Sequence, residues 1–395
     1  MAGGPLGRLG AAKAAALAVL TALGLLGWFH LVAPTLSRDP VAASAVPGWV
    51  TGDFVAFVVA GEAAASATPA SAYDRSRLAE RLRGHGVTKQ DASAWSYPPP
   101  ALLLVWPLAG ADGPMARRAW TIALTLAAAV AAAVAARDAR AALLALPMPG
   151  LQLALAQGQV TGLVALALAP VIAFADRRPF LAGLALGGLV FKPHLLIGPG
   201  LVMLGSGRWR VAAGAATGGL ALAAAATLVF GWAPWPAFVA ELARRTAEIG
   251  LDGVQATRMV TPFGFAARLV GSGAAALALH AAAALLALAL AIRIWRIDAE
   301  PAARALALVV AALAVPTLAF EYDLALLLLP VAAATGAALR SGVVPRWGDI
   351  AVVALALSAG VIAFAVHFLL GVQPASLLLL AALAFAWRRA EARAR

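Results

Sequence analysis

The chain has 395 residues, of which 63% are hydrophobic and only 12% are charged. Soluble proteins carry about a quarter charged residues, so this composition excludes a water-soluble globular enzyme and predicts an all-α polytopic membrane domain. The net charge of +12 would suggest a nucleic-acid partner in a soluble protein. Here the basic residues stand in short clusters between apolar runs, which is typical of cytoplasmic loops, and we predict no nucleic acid.

The residue inventory also excludes several kinds of site. The absence of cysteine from the sequence excludes disulfides and thiolate ligands. The five histidines show no metal-ligand spacing. The sequence contains no phosphate-cradling glycine loop, no HExxH and no G-x-S-x-G. We therefore predict neither a bound metal nor a cofactor.

The first apolar run, within residues 1–33, follows Arg8 and Lys13. It is too long for a signal peptide, and the positive-inside rule predicts an uncleaved first span with a cytoplasmic N-terminus. The polar stretch 34–97 is then the first extracytoplasmic loop. Its segments 53–65 and 73–83 have helical patterns, which predict two short helices on the membrane surface.

Further apolar runs predict 11 to 13 spans in a single transmembrane domain, 1–395. They lie at about 98–111, 117–136, 141–156, 159–175, 179–204, 211–231, 273–295, 302–319, 323–339, 348–370 and 374–388. Most separators are basic and are predicted to lie inside, whereas the aromatic separator 232–272 is predicted to be a second large outer loop. Prolines leave it open whether 98–156 and 179–204 each form one span or two broken halves.

Asp53 follows the first predicted span, at the start of a predicted interfacial helix. Aspartate is favoured as a helix N-cap, which is one interpretation. The other is a general base, because a carboxylate at the membrane–water interface can deprotonate a hydroxyl. The two interpretations are compatible.

Lys192 lies inside a long apolar run, next to Pro193 and His194. A lysine at that depth either extends its ammonium to the interface or meets an anion. The proline breaks the helix and frees backbone groups, so a phosphate site is the second interpretation. Arg258, in the outer 232–272 separator, could pair with the same phosphate or with lipid headgroups.

Three further polar sites border apolar runs. Tyr97 precedes three consecutive prolines and could be an interface anchor, and Gln159 lies in a Gln-Gly-Gln stretch that could be a simple turn. The segment 320–323 (FEYD) could be a solvated loop, or it could bind a cation or sugar hydroxyls through Glu321, Tyr322 and Asp323.

The order of these motifs resembles glycosyltransferases of the GT-C type that use polyprenyl-phosphate sugars, and more narrowly family 87 (the DUF2029 group), which includes phosphatidylinositol mannoside mannosyltransferases. The resemblance extends over nearly the whole chain. The motifs that carry it are Gly52-Asp53-Phe54, Ala72-Tyr73-Asp74, Tyr97-Pro98-Pro99, Gly158-Gln159, the run from Leu181 with Lys192-Pro193, Arg208-Trp209-Arg210 and Tyr322-Asp323.

The resemblance implies a GT-C bundle of about a dozen helices and a hexosyltransferase in the cell membrane. It implies inverting transfer of a sugar, mannose or similar, from a polyprenyl-phosphate donor to a lipid or glycan hydroxyl at the extracytoplasmic face. Asp53 would be the general base, while Lys192, His194 and Arg258 would bind the donor phosphate. Substrate contacts would come from Tyr97, Gln159, Glu321, Tyr322 and Asp323.

Two other classes fit the composition, namely a secondary transporter and a non-catalytic membrane scaffold. A transporter predicts inverted repeats and charges around a central site, and the sequence contains no duplicated halves. The glycosyltransferase hypothesis instead predicts that Asp53, Lys192 and Tyr322 meet at one outward-facing cavity. A scaffold predicts no such convergence.

Overall fold

The fold consists of helices throughout the part of the chain that the computed structural model describes. These residues are 26, 32–33, 53–87, 95–145, 147–248, 258–297, 299–341 and 373–394. Every regular element within them is helical, which confirms the predicted all-α class. The predicted span within 1–33 lies almost wholly outside the described residues, and the run 348–370 lies entirely outside them.

The helix order follows the apolar runs. The α-helices are α1 (Phe54–Ala65), α2 (Arg75–Gly84), α3 (Pro100–Val105), α4 (Gly113–Ala136), α5 (Pro149–Gln157), α6 (Thr161–Phe174), α7 (Pro179–Gly187), α8 (Pro193–Gly205), α9 (Trp209–Phe230), α10 (Pro234–Glu248), α11 (Pro262–Val270), α12 (Ala274–Arg296), α13 (Pro301–Ala314), α14 (Leu328–Ser341) and α15 (Ala375–Ala394). Short 3-10 helices cover Pro69–Tyr73, Trp106–Leu108, Ala139–Ala145, Gly188–Phe191 and Glu321–Leu327. The two helices predicted in the first outer loop are present as α1 and α2; their position on a membrane surface stays a prediction.

Four helical segments of the described residues are long and apolar enough to cross a membrane, namely α4, α9, α12 and Glu321–Ser341. A bent pair, Ala139–Ala145 with Pro149–Gln157, would make a fifth. The described residues also include shorter apolar helices, among them α1, α6, α8 and α13. These findings confirm a polytopic membrane protein, while the predicted total of 11 to 13 spans stays a prediction.

The run 179–204 is two half-helices rather than one span. The first half is α7 with its 3-10 extension and ends at Phe191, and α8 restarts at Pro193. Lys192 between them has a non-helical backbone, φ −136° and ψ 66°. Because proline has no N–H to donate and is tolerated in a first helical turn, it ends one helix and begins the next.

Helices α7 and α9 pack through glycines, as expected for small-residue faces in a membrane. A methyl group on Gly183 would collide with the carbonyl oxygen of Val211, and one on Gly214 would collide with that of Phe180. The two backbones therefore approach more closely than any larger residue would allow.

The basic turns gather at one end of the helices. Asp176, just after α6, accepts hydrogen bonds from Arg208 and Arg304, which precede α9 and begin α13. Arg296, at the end of α12, donates to the carbonyl oxygen of Gly205 at the end of α8, at 3.0 and 2.6 Å. We call this region the basic end.

The opposite end carries the sequence-predicted site residues. Helix α6 begins at Thr161 and α8 follows Lys192, and both residues hydrogen-bond Asp323. Each of these helices therefore runs from Asp323 to the basic end. We call the region around Asp323 the site end.

The predicted first and second outer loops are joined by an ion-pair network. The guanidinium of Arg75 in α2 binds Glu241 of α10 at 2.7 Å and Glu248 at 2.8 Å. Glu241 is buried and also accepts from Arg244 at 2.9 Å. The phenol of Tyr73 donates to the carbonyl oxygen of Tyr97 at 2.9 Å, so the same loop also contacts the site end.

Candidate active site

The side chain of Asp53 contacts a glutamine rather than capping its helix. Asp53 occupies the N-cap position of α1, but its carboxylate makes no capping hydrogen bond. Its Oδ2 instead accepts from Nε2 of Gln159 at 2.6 Å, and its backbone N–H donates to the carbonyl oxygen of Gln157 at 2.9 Å. Asp53 is partly exposed, so it remains available to a proton donor.

Gln159 links Asp53 to Tyr97. The Tyr97 hydroxyl donates to Oε1 of Gln159 at 3.2 Å, and the Gln159 side chain is buried. The Tyr97 ring packs against Phe57 and Trp95, with centroids 5.4 and 4.8 Å away. Burial, together with the charges of the nearby carboxylates, raises the pKa of Tyr97 well above its usual value, so the phenol stays a hydrogen-bond donor.

The turn that carries Gln159 is fixed by two side chains of α4. Nη2 of Arg117 donates to the carbonyl oxygens of Leu155 and Ala156 at 2.8 and 2.7 Å. Nε1 of Trp120 donates to the carbonyl oxygen of Gly158 at 2.8 Å. The carbonyl of Leu155 also accepts from the N–H of Gly158 at 3.0 Å, whereas those of Ala156 and Gly158 are carbonyls that the end of α5 would otherwise leave without a helical partner.

Lys192 forms a buried ion pair with Asp323. Its Nζ lies 2.7 Å from Oδ1 of Asp323, and the two side chains are 3% and 0% exposed. Asp323 Oδ2 also accepts from the backbone N–H of Phe320 at 3.1 Å. The ammonium lies 5.0 Å from the ring centroid of Tyr322, within range of a cation–π contact. Of the two interpretations of Lys192, the structure favours an anion partner, and the anion is a carboxylate of the chain itself.

Arg258 and Glu321 form a second pair, which is less buried. Nε and Nη2 of Arg258 lie 2.8 and 2.7 Å from Oε1 of Glu321, and Nη2 also donates to Oε1 of Gln157 at 3.2 Å. The arginine side chain is 43% exposed, so it remains accessible. Burial lowers the pKa of Arg258, but the negative charges of Glu321 and Asp53 outweigh burial and raise it, which keeps the guanidinium charged.

A short backbone contact brings Arg258 to this position. Met259 and Phe320 form an isolated antiparallel bridge, and the N–H of Val260 donates to the carbonyl oxygen of Ala319 at 2.9 Å. The start of α11 is thereby held against the segment that leads into the site. This contact joins the predicted second outer loop to the 320–323 segment.

All of the predicted site residues meet at the site end. Direct contacts link Asp53, Gln159 and Tyr97 in one group, Lys192, Tyr322 and Asp323 in a second, and Arg258 with Glu321 in a third. Charge interactions connect the groups, since Asp53 lies within electrostatic range of Arg258, Tyr97 and Tyr322. His194 lies within electrostatic range of Lys192 and Asp323, but its imidazole hydrogen-bonds no described residue.

The charges of the cluster do not cancel. Three carboxylates, Asp53, Glu321 and Asp323, face two cations, Lys192 and Arg258. Asp53 is the carboxylate that has no cationic hydrogen-bond partner among the described residues. Within the ranges that the structure describes, no three or more histidine, aspartate or glutamate side chains form a group that could hold a metal ion.

Sequence reasoning missed Arg117, Trp120 and Thr161. Arg117 lies at the edge of the apolar run 117–136 and is fully buried, and charged residues at membrane depth are rare and functional by default. That rule could have identified Arg117. Thr161 and Trp120 give no such signal, because hydroxyl and indole groups are common in membrane helices.

The fold and the polar cluster together define an all-α polytopic membrane protein with a buried ionisable site at one end of its helices. Residues 95–320, more than half of the chain, match the model of glycosyltransferase family 87. The chain belongs to that family, which confirms the resemblance identified from the sequence motifs. Neither a curated protein nor a solved structure matches the chain.

Proposed function

We propose that this family 87 glycosyltransferase moves a hexose, mannose or similar, from a polyprenyl-phosphate donor to a hydroxyl of a lipid or glycan acceptor. In this proposal Asp53 is the general base. The observation that carries it is that Asp53 has no cationic hydrogen-bond partner among the described residues, whereas Glu321 and Asp323 each bind a cation.

The geometry around Asp53 supports its role. Gln159 occupies only Oδ2, and no described residue donates to Oδ1. An acceptor hydroxyl could therefore approach Oδ1 within hydrogen-bond distance, as a general base requires. The partial exposure of Asp53 fits an acceptor that arrives from outside the cluster.

The accessible cation beside Asp53 supports a phosphate leaving group. Arg258 offers a planar guanidinium that suits phosphate oxygens and is 43% exposed. Lys192 is committed to Asp323, so it would contribute its charge at longer range. His194 lies near this pair and would contribute an imidazole as a hydrogen-bonding group. Glu321, Tyr322 and Asp323 would then frame the sugar.

The proposed reaction is a single displacement. The acceptor oxygen bonds to the anomeric carbon as the bond from that carbon to the phosphate oxygen breaks, which inverts the configuration. The hydroxyl proton passes to Asp53, and the bonding electrons leave with the lipid phosphate, which gains one negative charge. Because the phosphate departs without a proton, one carboxylate is sufficient.

The distribution of basic residues supports an extracytoplasmic site in the cell membrane. Arg208, Arg296 and Arg304 lie at the basic end, and the positive-inside rule assigns such loops to the cytoplasm. The site end, at the other ends of α6 and α8, would then face outward. The proposed donor, acceptor and bilayer would meet there.

The proposed sidedness has a direct test because the chain contains no cysteine. A single cysteine would be introduced at Ala67, which follows α1, or at Arg210 at the basic end; both residues are exposed. In intact cells an impermeant maleimide should label Ala67→Cys and should label Arg210→Cys only after permeabilisation. The reverse pattern would overturn the extracytoplasmic assignment.

The proposed donor is tested with purified protein and a panel of sugars on polyprenyl monophosphate, including mannose, glucose and arabinose. Membrane lipid extract supplies the acceptor, and the corresponding nucleotide sugars serve as comparison donors. We expect transfer from a lipid-phosphate sugar, with inverted configuration in the product. Transfer from nucleotide sugars alone would contradict the proposal.

A further inference from the structure

The side-chain amide of Gln159 has both of its polar atoms engaged by protein groups. Nε2 donates to Asp53 and Oε1 accepts from Tyr97. We propose that Gln159 is a positioning residue, which orients the Asp53 carboxylate, rather than a residue that binds sugar. This inference rests on the proposed function, because it concerns the base of that reaction.

The orientation of the amide follows from its neighbours. A carboxylate only accepts hydrogen bonds, so it must face the NH₂ group of Gln159. The buried Tyr97 phenol then donates to the carbonyl oxygen of the amide. A flipped amide would point its oxygen at the carboxylate, and two acceptors repel each other. Asp53 thus specifies the orientation, which leaves its Oδ1 for the acceptor.

The backbone around this contact is held from both sides. The N–H of Asp53 donates to the carbonyl oxygen of Gln157, and Trp120 binds the carbonyl of Gly158. Gly158 has φ +77°, and an added Cβ would lie 2.5 Å from Nη1 of Arg117. The turn that carries Gln159 is therefore rigid, because both its backbone conformation and its close neighbours restrict it.

The charges that face Asp53 come from several elements. Arg258 precedes α11 and is paired with Glu321, while Tyr97 and Tyr322 present neutral phenols. Lys192 and Asp323 are already paired with each other. Gln159 supplies the only side-chain hydrogen bond to Asp53 among the described residues, so replacing it changes the contacts of the base without removing a charge from the cluster.

Loss of this N–H donor has a defined kinetic signature. Without it, the Asp53 carboxylate can turn away from the acceptor hydroxyl. This loss of orientation should lower kcat, by about 10²-fold for a displacement of the reacting group near 1 Å. KM should change little, because no contact with either substrate is removed.

The experiment compares the wild type with Gln159→Leu, which retains side-chain volume but has no amide, and with Tyr97→Phe, which retains the ring. We expect Gln159→Leu to lower kcat and to leave KM for both substrates within a few fold. Tyr97→Phe should lower kcat by a smaller factor. An increase in KM for the donor with an unchanged kcat would overturn the inference and assign Gln159 to sugar binding.

Two further measurements separate this inference from the proposed function. If Asp53→Asn transfers sugar at the wild-type rate, the proposed base is wrong, whatever Gln159 does. The unfolding midpoints of Asp53→Asn, Gln159→Leu and the double variant require no activity. We expect the double variant to lose less than the sum of the single losses, because the two side chains share one bond. Additive losses of the unfolding midpoint would show that Asp53 and Gln159 do not share a hydrogen bond, which would overturn the inference.

Discussion

The ammonium of Lys192 and the carboxylate of Asp323 form a buried pair, 2.7 Å apart, that joins two broken helices. Lys192 occupies the break between Phe191 and Pro193, and Asp323 lies in the 3-10 segment Glu321–Leu327. The pair therefore fixes the start of α8 against the start of the helix that contains Tyr322. Its partners stand 131 positions apart in the chain.

Breaking this pair from one side should be costly. Lys192→Met leaves Asp323 charged and buried, which costs about 3–5 kcal/mol when a buried pair loses one partner. The double variant Lys192→Met/Asp323→Asn should lose less than the sum of the two single variants, and unfolding in detergent would measure this. As a control, Arg140→Met breaks the Arg140–Asp138 pair, in which the arginine is 69% exposed and the expected cost is small. Equal costs for Lys192→Met and Arg140→Met would contradict the description of Lys192 as buried and paired.

The turn at Gly158 provides a second test, with a matched control. Gly158 and Gly207 both have positive φ, +77° and +79°, so alanine at either position costs about 1–2 kcal/mol from backbone conformation alone. Around Gly207 nothing lies within 4 Å of an added Cβ, whereas at Gly158 it would lie 2.6 Å from Cβ of Phe54. Gly158→Ala should therefore destabilise the protein by about 1–3 kcal/mol more than Gly207→Ala. Gly158→Ala should also lower the rate of sugar transfer, since Gln159 follows directly. Equal effects of Gly158→Ala and Gly207→Ala on stability and rate would argue against a tightly packed turn.

Local sequence signals predicted much of the helical framework. The proline after Lys192 indicated a break in the run 179–204, and the structure resolves the two alternatives in favour of two half-helices. Segments 53–65 and 73–83 were correctly predicted as helices because their patterns repeat at helical spacing. Such signals act within a few residues, so they can be read from the chain without tertiary information.

The partners of the site residues could not be predicted in the same way. The sequence indicated Lys192 and Asp323 separately, but only tertiary packing makes them a pair. Gln159 was predicted to contact substrate, because nothing local shows that Asp53, 106 positions away, accepts its N–H. Arg117 was overlooked because the edge of an apolar run resembles a solvated boundary, whereas its side chain turns inward to bind the end of α5.

The basic end should respond to acid. Burial alone would raise the pKa of Asp176, but its hydrogen bonds and charge contacts with Arg208 and Arg304 lower it below the usual value. A carboxylate with a lowered pKa in the folded state stabilises the protein above its unfolded pKa, near 3.9, and this contribution is lost as pH falls through the folded value. The unfolding midpoints of the wild type and Asp176→Asn should therefore differ at pH 7, and the difference should begin to shrink once the pH falls below about 4. A difference that persists unchanged in acid would contradict the ion-pair assignment.

The rate of sugar transfer by Asp53→Asn tests the proposed mechanism most directly. The matched control is Asp112→Asn, because Asp112 is exposed and caps α4 through the backbone N–H of Met115. We expect Asp53→Asn to lower the transfer rate by about 10²–10⁴-fold, as for loss of a general base, with an unfolding midpoint close to that of the wild type. Asp112→Asn should stay within a few fold of the wild-type rate. Transfer by Asp53→Asn at the rate of the control would show that Asp53 is not the base.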